Sequence, residues 1–471
     1  MNPALTPTRI LLVGGGAREH ALAWKLAAEP GLDALIVVPG SAAMAAEPRV
    51  RCLSAIDPLD PPVVLAAARA EVVDLVVIGP EAPLAAGLAD ALLEAGIAVF
   101  GPSRAAARIE TSKAFCRDVA AAAGVRMARG RAFGSGELTA ALAFAGELAT
   151  AGHGLVVKAD GLTAGKGVLV ADDLAAAEAN LMSLLNRSDD GTDHGGRAAG
   201  SPGSPAPVVL LEERLFGREV SVIAVTDGRT AIALPAARDH KRLLDGDAGP
   251  NTGGMGAYSP VADLPDDAAA AFLATIHEPI LAELARRGTP FCGFLYAGLM
   301  LTADGPVLLE CNARLGDPEA QVILPRLAGP LGPVLLAAAR GDLRLEAAAR
   351  LPTVPDAAVG IVLAAAGYPG TPERGHPIGG LDRATRRGAL LFHAGTSARL
   401  DGSYRTNGGR VLTVVGRGAD LAAARALAEA AADEIAWPGL QRRRDIAAHS
   451  PPNQPSSSDA RPVVAVAGAI R

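Results

Sequence analysis

The 471-residue sequence predicts an α/β fold that opens on a parallel-sheet domain and continues through two further mixed regions. Three observations carry this expectation. Short, continuous apolar runs alternate with Ala-rich helical patterns over the first hundred residues, as strands covered on both faces require. Glycine-containing turns follow the ends of those runs. The chain is 50% hydrophobic and 20% charged, enough to bury several cores at a length that suggests about three domains.

In order, Ile10–Val13 reads as a buried strand, and Arg18–Ala28 as a helix carrying Leu22 and Leu26 on one face. Ala34–Val38 is the second strand. A helix near Val63–Arg69, a strand at Leu75–Ile78, a helix near Leu84–Glu94 and a strand at Ile97–Phe100 complete a domain over 1–103. Ligands of such a sheet lie beyond the C-terminal ends of its strands, so the loops at 14–20, 39–41 and 79–83 are candidates. A second region, 104–330, mixes strands and helices around glycine-rich turns. Within it, 186–207 is almost wholly Ser, Asp, Gly, Pro, Ala and Arg, and a mobile loop is expected there. A third, small mixed α/β region over 331–446 has strands at Gly360–Leu363 and Val411–Val414, and a disordered tail is expected over 447–471.

Composition excludes several classes. No run of about 18 uninterrupted apolar residues exists, so no membrane span is expected. The start, Met1 to Thr8, lacks the pattern of an export signal. Cys52, Cys116, Cys292 and Cys311 are scattered, which reads as reduced thiols in a cytoplasmic protein. A net charge of −6, 3% aromatics and no basic stripe argue against a nucleic-acid partner, and Arg442–Arg444 reads as the solvated end of a helix. A monomer is expected, with a dimer the alternative. Of the 44 basic residues only five are lysines (Lys25, Lys113, Lys158, Lys166, Lys241), which singles out each of them.

Five constellations carry chemistry. Gly14-Gly15-Gly16, between a strand and a helix, fails as a dinucleotide fingerprint: Glu19 stands where the third glycine belongs, and the second strand ends Val38-Pro39-Gly40 with no acidic residue. It still suits a phosphate or a plain tight turn. Val156–Val168 reads as strand, glycine-rich hairpin (Gly161, Gly165, Gly167) and strand. Lys158 and Lys166 stand at its two ends, a backbone and two point charges for phosphates. Val208–Glu219 ends an apolar strand in Glu212 and Glu213, either a solvated strand end or a frame for a base and a ribose with Leu215 and Glu219. Arg238–Arg242, with Asp239 and Lys241, precedes the polar loop holding Asn251 and Thr252 and would suit an anionic substrate. Finally, alternation puts Glu310, Asn312 and Arg314 on one side of a strand. A carboxylate and an amide oxygen two residues apart suit Mg²⁺ or Mn²⁺.

In this order the motifs resemble the ATP-grasp superfamily and, within it, the phosphoribosylamine–glycine ligase (glycinamide ribonucleotide synthetase) family. The matching runs are GGGAREHALAWKL, GPEAPL, KADGLTAGKGV, DHKRLLDGDAGPNTGGMGAYSP, GFLYAGLM and GDPEAQ, over about 9–446. The resemblance implies an ATP-grasp central domain with a mobile ATP-covering subdomain at about 125–207. It implies that Lys113 and Lys158 contact ATP phosphates under a loop carrying Lys166. Glu212–Leu215 would form the adenine hinge, Glu219 would take the ribose, and Glu310 and Asn312 the metal. Gly16, Arg18, Glu81, Asp239 and Lys241 would hold a phosphoribosyl group, with Arg314 or the turn at Asp317 gripping glycine. The implied reaction joins glycine to 5-phosphoribosylamine through glycyl phosphate, at the expense of ATP, in purine biosynthesis. Gly15, Ala17, Arg238 and Leu315 depart from the usual Asn, Gly, Gln and Phe. The usual lid segment is replaced by 186–207, and Tyr296–Leu299 offers no second acidic metal ligand. Another ATP-grasp ligase or carboxylase on a phosphoribosyl substrate is the alternative, followed by a non-catalytic binding protein and, last, an NAD(P) dehydrogenase.

Overall fold

In a computed structural model, the strands β1 (Arg9–Gly14), β2 (Ala34–Pro39), β3 (Val50–Cys52), β4 (Leu75–Ile78) and β5 (Val99–Phe100) form one parallel sheet in the order β3-β2-β1-β4-β5. The described residues are 6–150, 154–162, 167–185, 208–343 and 350–448; Gly165, Lys166, the whole 186–207 run and the tail from 449 lie outside them. Helices α1 (Ala17–Ala27), α2 (Pro61–Ala70), α3 (Glu81–Ala85) and α4 (Leu88–Glu94) join these strands. Every residue of β4 is buried, as a strand covered on both faces must be. The strand order reverses at β1, where the loops after β1 and β4 open side by side, with Gly79 N donating to Val13 O at 3.0 Å.

Helices α5 (Arg104–Thr111) and α6 (Lys113–Ala122) follow, and Ser112 caps the second by accepting from Phe115 N at 3.1 Å. The next unit contains β6 (Gly130–Gly134), α7 (Leu138–Ala149), β7 (Leu155–Ala159), β8 (Val168–Ala171), α8 (Leu174–Leu185) and β9 (Val208–Glu213). Its antiparallel sheet, β6-β9-β7-β8, has its own core of Phe133, Leu148, Val157, Leu181 and Leu211.

Strands β10 (Arg218–Asp227), β11 (Ala231–Ala233), β12 (Arg238–Asp239), β13 (Arg242–Leu244), β14 (Ala248–Asn251) and β15 (Gly256–Ser259) come next, then helices α9 (Asp266–Phe272) and α10 (Glu278–Arg286) joined by one π-turn. Among the described residues, 266–286 is the one helical run long and apolar enough to cross a membrane. Its Leu273, Ile276, Ile280 and Leu284 are built into the central core instead. Strands β16 (Cys292–Thr302) and β17 (Gly305–Asn312) complete a sheet in the order β11-β10-β16-β17.

Helices α11 (Glu319–Ile323) and α12 (Gly332–Ala339) lead to β18 (Ala357–Ala364), α13 (Leu381–Arg386), β19 (Leu390–His393), β20 (Thr396–Ala398), β21 (Tyr404–Thr406), β22 (Arg410–Gly418) and α14 (Leu421–Ala432). The sheet here, β12-β15-β18-β22-β19, is shared: β15 pairs with β18 from Gly256↔Ile361 to Ser259↔Ala358. The substrate-loop motif, read from sequence as part of the second region, is thus hydrogen-bonded into the third. One expectation is corrected. Arg442–Arg444 is not a solvated helix end, because α14 stops at Ala432 and Arg443 is only 1% exposed, paired with Asp445 and Asp247.

Candidate active site

A cleft of about 1860 Å³ runs between the first sheet's switch point, the β6–β9 unit and the shared sheet. One wall is cationic. Asp160, just after β7, accepts the Lys113 amide at 2.5 Å and the Ser112 hydroxyl at 3.0 Å, which fixes the start of α6 against the hairpin. Lys113 Nζ donates to Gly161 O at 2.8 Å, while Gly161 (φ +97°) makes the turn that a side chain would strain. Burial lowers the Lys113 pKa, although the nearby Glu310 and Asp160 carboxylates pull the other way. Lys158 Nζ lies 2.6 Å from Glu212, whose other oxygen is 3.0 Å from Arg117.

The paired glutamates at the end of β9 split by alternation. Glu212 is buried in this ion pair, and Glu213 turns outward to accept the Arg129 amide at 2.8 Å. Leu215, Glu213 and Glu219 also line the cleft, with Glu219 paired to Lys241 at 2.7 Å. Gly167 is set back from the wall, accepting from Ala159 N at 2.8 Å.

Glu310 and Asn312 sit opposite. The register of β16 and β17 shifts between Gly298↔Glu310 and Leu299↔Leu308, so Leu309 is an extra residue that re-aims the strand end. Burial raises the Glu310 pKa, but the fields of Lys241, Lys158, Lys113 and Arg314 outweigh it and hold the carboxylate ionised below the ordinary value. No hydrogen bond or ion pair between described residues engages its carboxylate or the Asn312 amide. Two hard oxygen donors, lining a cleft and without internal partners, fit a divalent cation. Among the described residues no set of three His, Cys, Asp or Glu converges, so phosphate and water oxygens would have to complete the shell of a cation held there.

The third wall is built on two arginines. Arg314 is held by Glu110 at 2.7 Å and Glu81 at 3.2 Å, and Arg18 by Glu19 at 2.5 Å and Glu81 at 3.8 Å. Despite burial, these two arginines keep the Glu81 carboxyl down at about 2. Gly16 is not among the described residues that line the cleft, and its N–H donates to Glu19 Oε2 at 2.9 Å. Burial, with Glu319, Glu219 and Glu310 nearby, raises Asp239 to about 8 against the opposing field of Lys241. Asn251 lines the cleft with Asp239 and Lys241, while Thr252 is buried and ties its own turn, Oγ1 donating to Lys241 O at 2.8 Å. Asp317 is clamped by Arg410 Nη2 at 2.8 Å and Gln321 Nε2 at 2.8 Å.

Several residues in or behind the cleft wall carried no sequence signal. Glu110 lies in an ordinary helix, Arg410 opens a strand nearly a hundred residues after Asp317, and Ser221 bridges Tyr296 (2.9 Å) and Glu319 (2.8 Å) from three elements. Strand alternation would have separated Glu212 from Glu213; nothing local would have found Glu110.

Two antiparallel sheets gripping a lysine-walled cleft, with an acidic–amide pair on a bulged strand, define an ATP-grasp enzyme. The sequence patterns of the phosphoribosylglycinamide synthetase N domain, ATP-grasp (A) domain and C domain match residues 8–110, 111–320 and 358–449. A phosphoribosylamine–glycine ligase of Streptomyces coelicolor is 47% identical over 445 residues, 93% of this chain and 99% of that one. One from Allochromatium vinosum is 46% identical over 439 residues, 93% and 97% of the two chains. The crystal structure of the Thermotoga maritima phosphoribosylamine–glycine ligase superposes with a TM-score of 0.72 at 33% identity, covering 93% of this chain and all of that one. The biotin carboxylase domain of a Hydrogenobacter thermophilus 2-oxoglutarate carboxylase shares the fold at a TM-score of 0.66 and 14% identity, over 93% of this chain and 92% of that one. The chain belongs to the phosphoribosylglycinamide synthetase family. It is an ATP-dependent ligase of a class that also uses a divalent cation.

Proposed function

We propose that this protein joins glycine to 5-phosphoribosylamine, giving glycinamide ribonucleotide, ADP and phosphate in purine biosynthesis. The observation that carries the reading is the ring of Lys113, Lys158, Lys241 and Arg314 around the Glu310–Asn312 pair, whose side chains have no hydrogen-bond or ion-pair partner among the described residues. The glycine carboxylate attacks the γ-phosphoryl group of ATP. The resulting glycyl phosphate is attacked by the amine of 5-phosphoribosylamine, which expels phosphate. No covalent nucleophile is needed from the chain; its work is positioning, charge neutralisation and exclusion of water.

Lys113 and Lys158 hold the phosphates, with Lys166 as the cation of the covering loop and Gly161, Gly165 and Gly167 letting backbone approach them. Glu212, Glu213 and Leu215 border the base, and Glu219 takes the ribose. Glu310 and Asn312 would hold Mg²⁺ or Mn²⁺, which when bound neutralises charge on the phosphoryl oxygens. Arg18, Glu81, Asp239, Lys241, Asn251 and Thr252 shape the phosphoribosyl side, with Gly16 behind them. Arg314 faces the developing acyl phosphate beside Asp317. The chain acts in the cytoplasm as a monomer, with a dimer as the alternative that sedimentation would reveal. The test is phosphate release from ATP with glycine and phosphoribosylamine added singly and together. Release only with both supports the reading, and bicarbonate-dependent release would replace it with the carboxylase one.

A further inference from the structure

After α14 the chain runs back across the shared sheet and ends its described course on the cleft. Arg443 is the bulkiest of the side chains exposed by less than 2%. Its guanidinium makes two parallel bonds to Asp445, Nε to Oδ1 at 2.7 Å and Nη2 to Oδ2 at 2.6 Å. From the same side chain Nη1 reaches Asp247 Oδ1 at 2.6 Å and the Arg242 carbonyl at 3.2 Å. Asp445 also accepts from Gly246 N at 2.8 Å, and Asp245 accepts from Arg444 N at 2.7 Å.

Each of the three residues 245–247, in the loop between β13 and β14, is therefore tied to the 443–445 stretch. Asp247 (φ +53°) and Ala447 (φ +56°) are non-glycine residues in the left-handed region, a conformation that persists only where the surroundings dictate it. Both line the cleft. Asp247 Oδ1 lies 3.9 Å from Nδ1 of His240, and the His240 imidazole and Arg443 guanidinium hold the Asp247 carboxyl down at about 2. His240 also lines the cleft, yet its buried Nε2 has no hydrogen-bond partner among the described residues. A buried polar atom left unpaired at a substrate cleft points to a partner that arrives with the ligand.

We propose that Arg443 and Asp445 are positioning residues for the acceptor side of the cleft: they fix the 245–247 strip, Asp247 orients His240, and His240 Nε2 meets a hydroxyl or phosphate oxygen of the phosphoribosyl substrate. This rests on the ligase reading above. The contacts named do not include Lys113, Lys158 or Glu212, so the clamp acts on the acceptor substrate and not on ATP.

The test compares the full-length wild type with Arg443→Ala, Asp247→Asn and His240→Ala in steady-state kinetics, varying each substrate in turn. The KM for phosphoribosylamine is expected to rise about tenfold in all three variants, with the KM for ATP within about twofold of wild type. Guanidinium at low millimolar concentration is expected to restore part of kcat/KM to Arg443→Ala and none to Asp247→Asn. Parallel changes in both KM values, no change, or no guanidinium rescue would overturn the proposal. If Arg443→Ala does not fold, Asp247→Asn carries the kinetic test, since its side chain is 48% exposed and asparagine tolerates the left-handed conformation. Amide hydrogen exchange over 242–251 in Asp247→Asn reads the same device without turnover: faster exchange is expected, and unchanged exchange overturns it. A wild type that releases no phosphate with both substrates defeats the ligase reading alone, and exchange then judges the clamp.

Discussion

Replacing Lys158 by methionine removes one charge and keeps the aliphatic stem, so it separates the lysine's binding role from its packing. Lys158 Nζ is 2.6 Å from Glu212 and 3.3 Å from the Leu309 carbonyl, with the side chain 12% exposed. Unit charges about 4 Å apart at an effective dielectric of about 20 attract by roughly 4 kcal/mol, an upper bound on what one lysine gives a phosphate here. At about 1.4 kcal/mol per tenfold, ATP affinity is expected to fall between about a hundredfold and a thousandfold. Stability should fall by less. Removing one partner of a buried ion pair costs about 3–5 kcal/mol when the other charge is left alone. Glu212 keeps Arg117 at 3.0 Å, so about half that cost is expected. The assay is calorimetric titration with a non-hydrolysable ATP analogue, beside thermal unfolding of the same preparation. Wild-type affinity in a folded Lys158→Met would refute the assignment, and a collapse of stability without selective loss of binding would make Lys158 a structural residue.

Three other outcomes follow from the same geometry. His277 is fully buried, and burial pushes its imidazole down to about 4 against hydrogen bonding to backbone at Phe272, Val222 and Leu295. The unfolded chain therefore takes up that proton first, so stability is lost as pH falls from about 6.5 toward 4. Between pH 7 and 5 this amounts to about 2 kcal/mol, which urea unfolding of wild type and His277→Leu would show as a difference in pH slope. Gly254 adopts φ +107°, and a Cβ there would lie 2.4 Å from Pro318 Cδ. Gly254→Ala should cost about 1–3 kcal/mol and displace the turn holding Asp317, lowering both the melting temperature and kcat/KM; an unchanged enzyme would contradict the packing. Glu310→Gln should raise the Mg²⁺ or Mn²⁺ concentration needed for half-activation by at least about tenfold, and the same shift should appear in direct Mn²⁺ binding by electron paramagnetic resonance.

Local pattern made much of this fold legible. The strands at Ile10–Val13, Ala34–Val38 and Leu75–Ile78 are continuous apolar runs, and the sheet places them within a residue or so of where their side chains predict. The Glu310–Asn312 pair was legible for the same reason, since alternation along one strand is local. Pairing over long distances was not. Arg442–Arg444 is a charge run that reads as solvated, and only the structure brings it to Asp245 and Asp247, some 200 residues upstream. Arg314 meets Glu110 across 204 residues, and β15 meets β18 across about a hundred, with nothing in either segment naming its partner. The resting partner of the Gly16 loop amide was not read from the sequence either. A glycine turn before a helix suits an anion, but the Glu19 carboxylate three residues on supplies one from within.

The sparing use of lysine gains a physical sense from these contacts. Arg443 holds Asp445 through two parallel bonds, Arg410 grips the Asp317 carboxylate and its carbonyl, and Arg314 lies between Glu110 and Glu81. A planar fork engaged on several sides fixes geometry and has little freedom to leave it. Lys113, Lys158 and Lys241 each present an ammonium on a flexible stem, held by a carbonyl in the first case, by one carboxylate and one carbonyl in the second, and by one carboxylate in the third. Such a group can exchange its resting partner for an arriving phosphate and return when the product leaves. Lys25 is the contrary case that limits the rule, since its ammonium donates to Leu327 O at 2.8 Å, well away from the cleft, and joins α1 to the segment after α11. On the ligase reading this divides the work between Arg314 and Lys166. Arg314, pinned by two carboxylates, supplies a stationary field where the acyl phosphate forms, whereas any cation that follows the transferred phosphoryl group has to be a lysine.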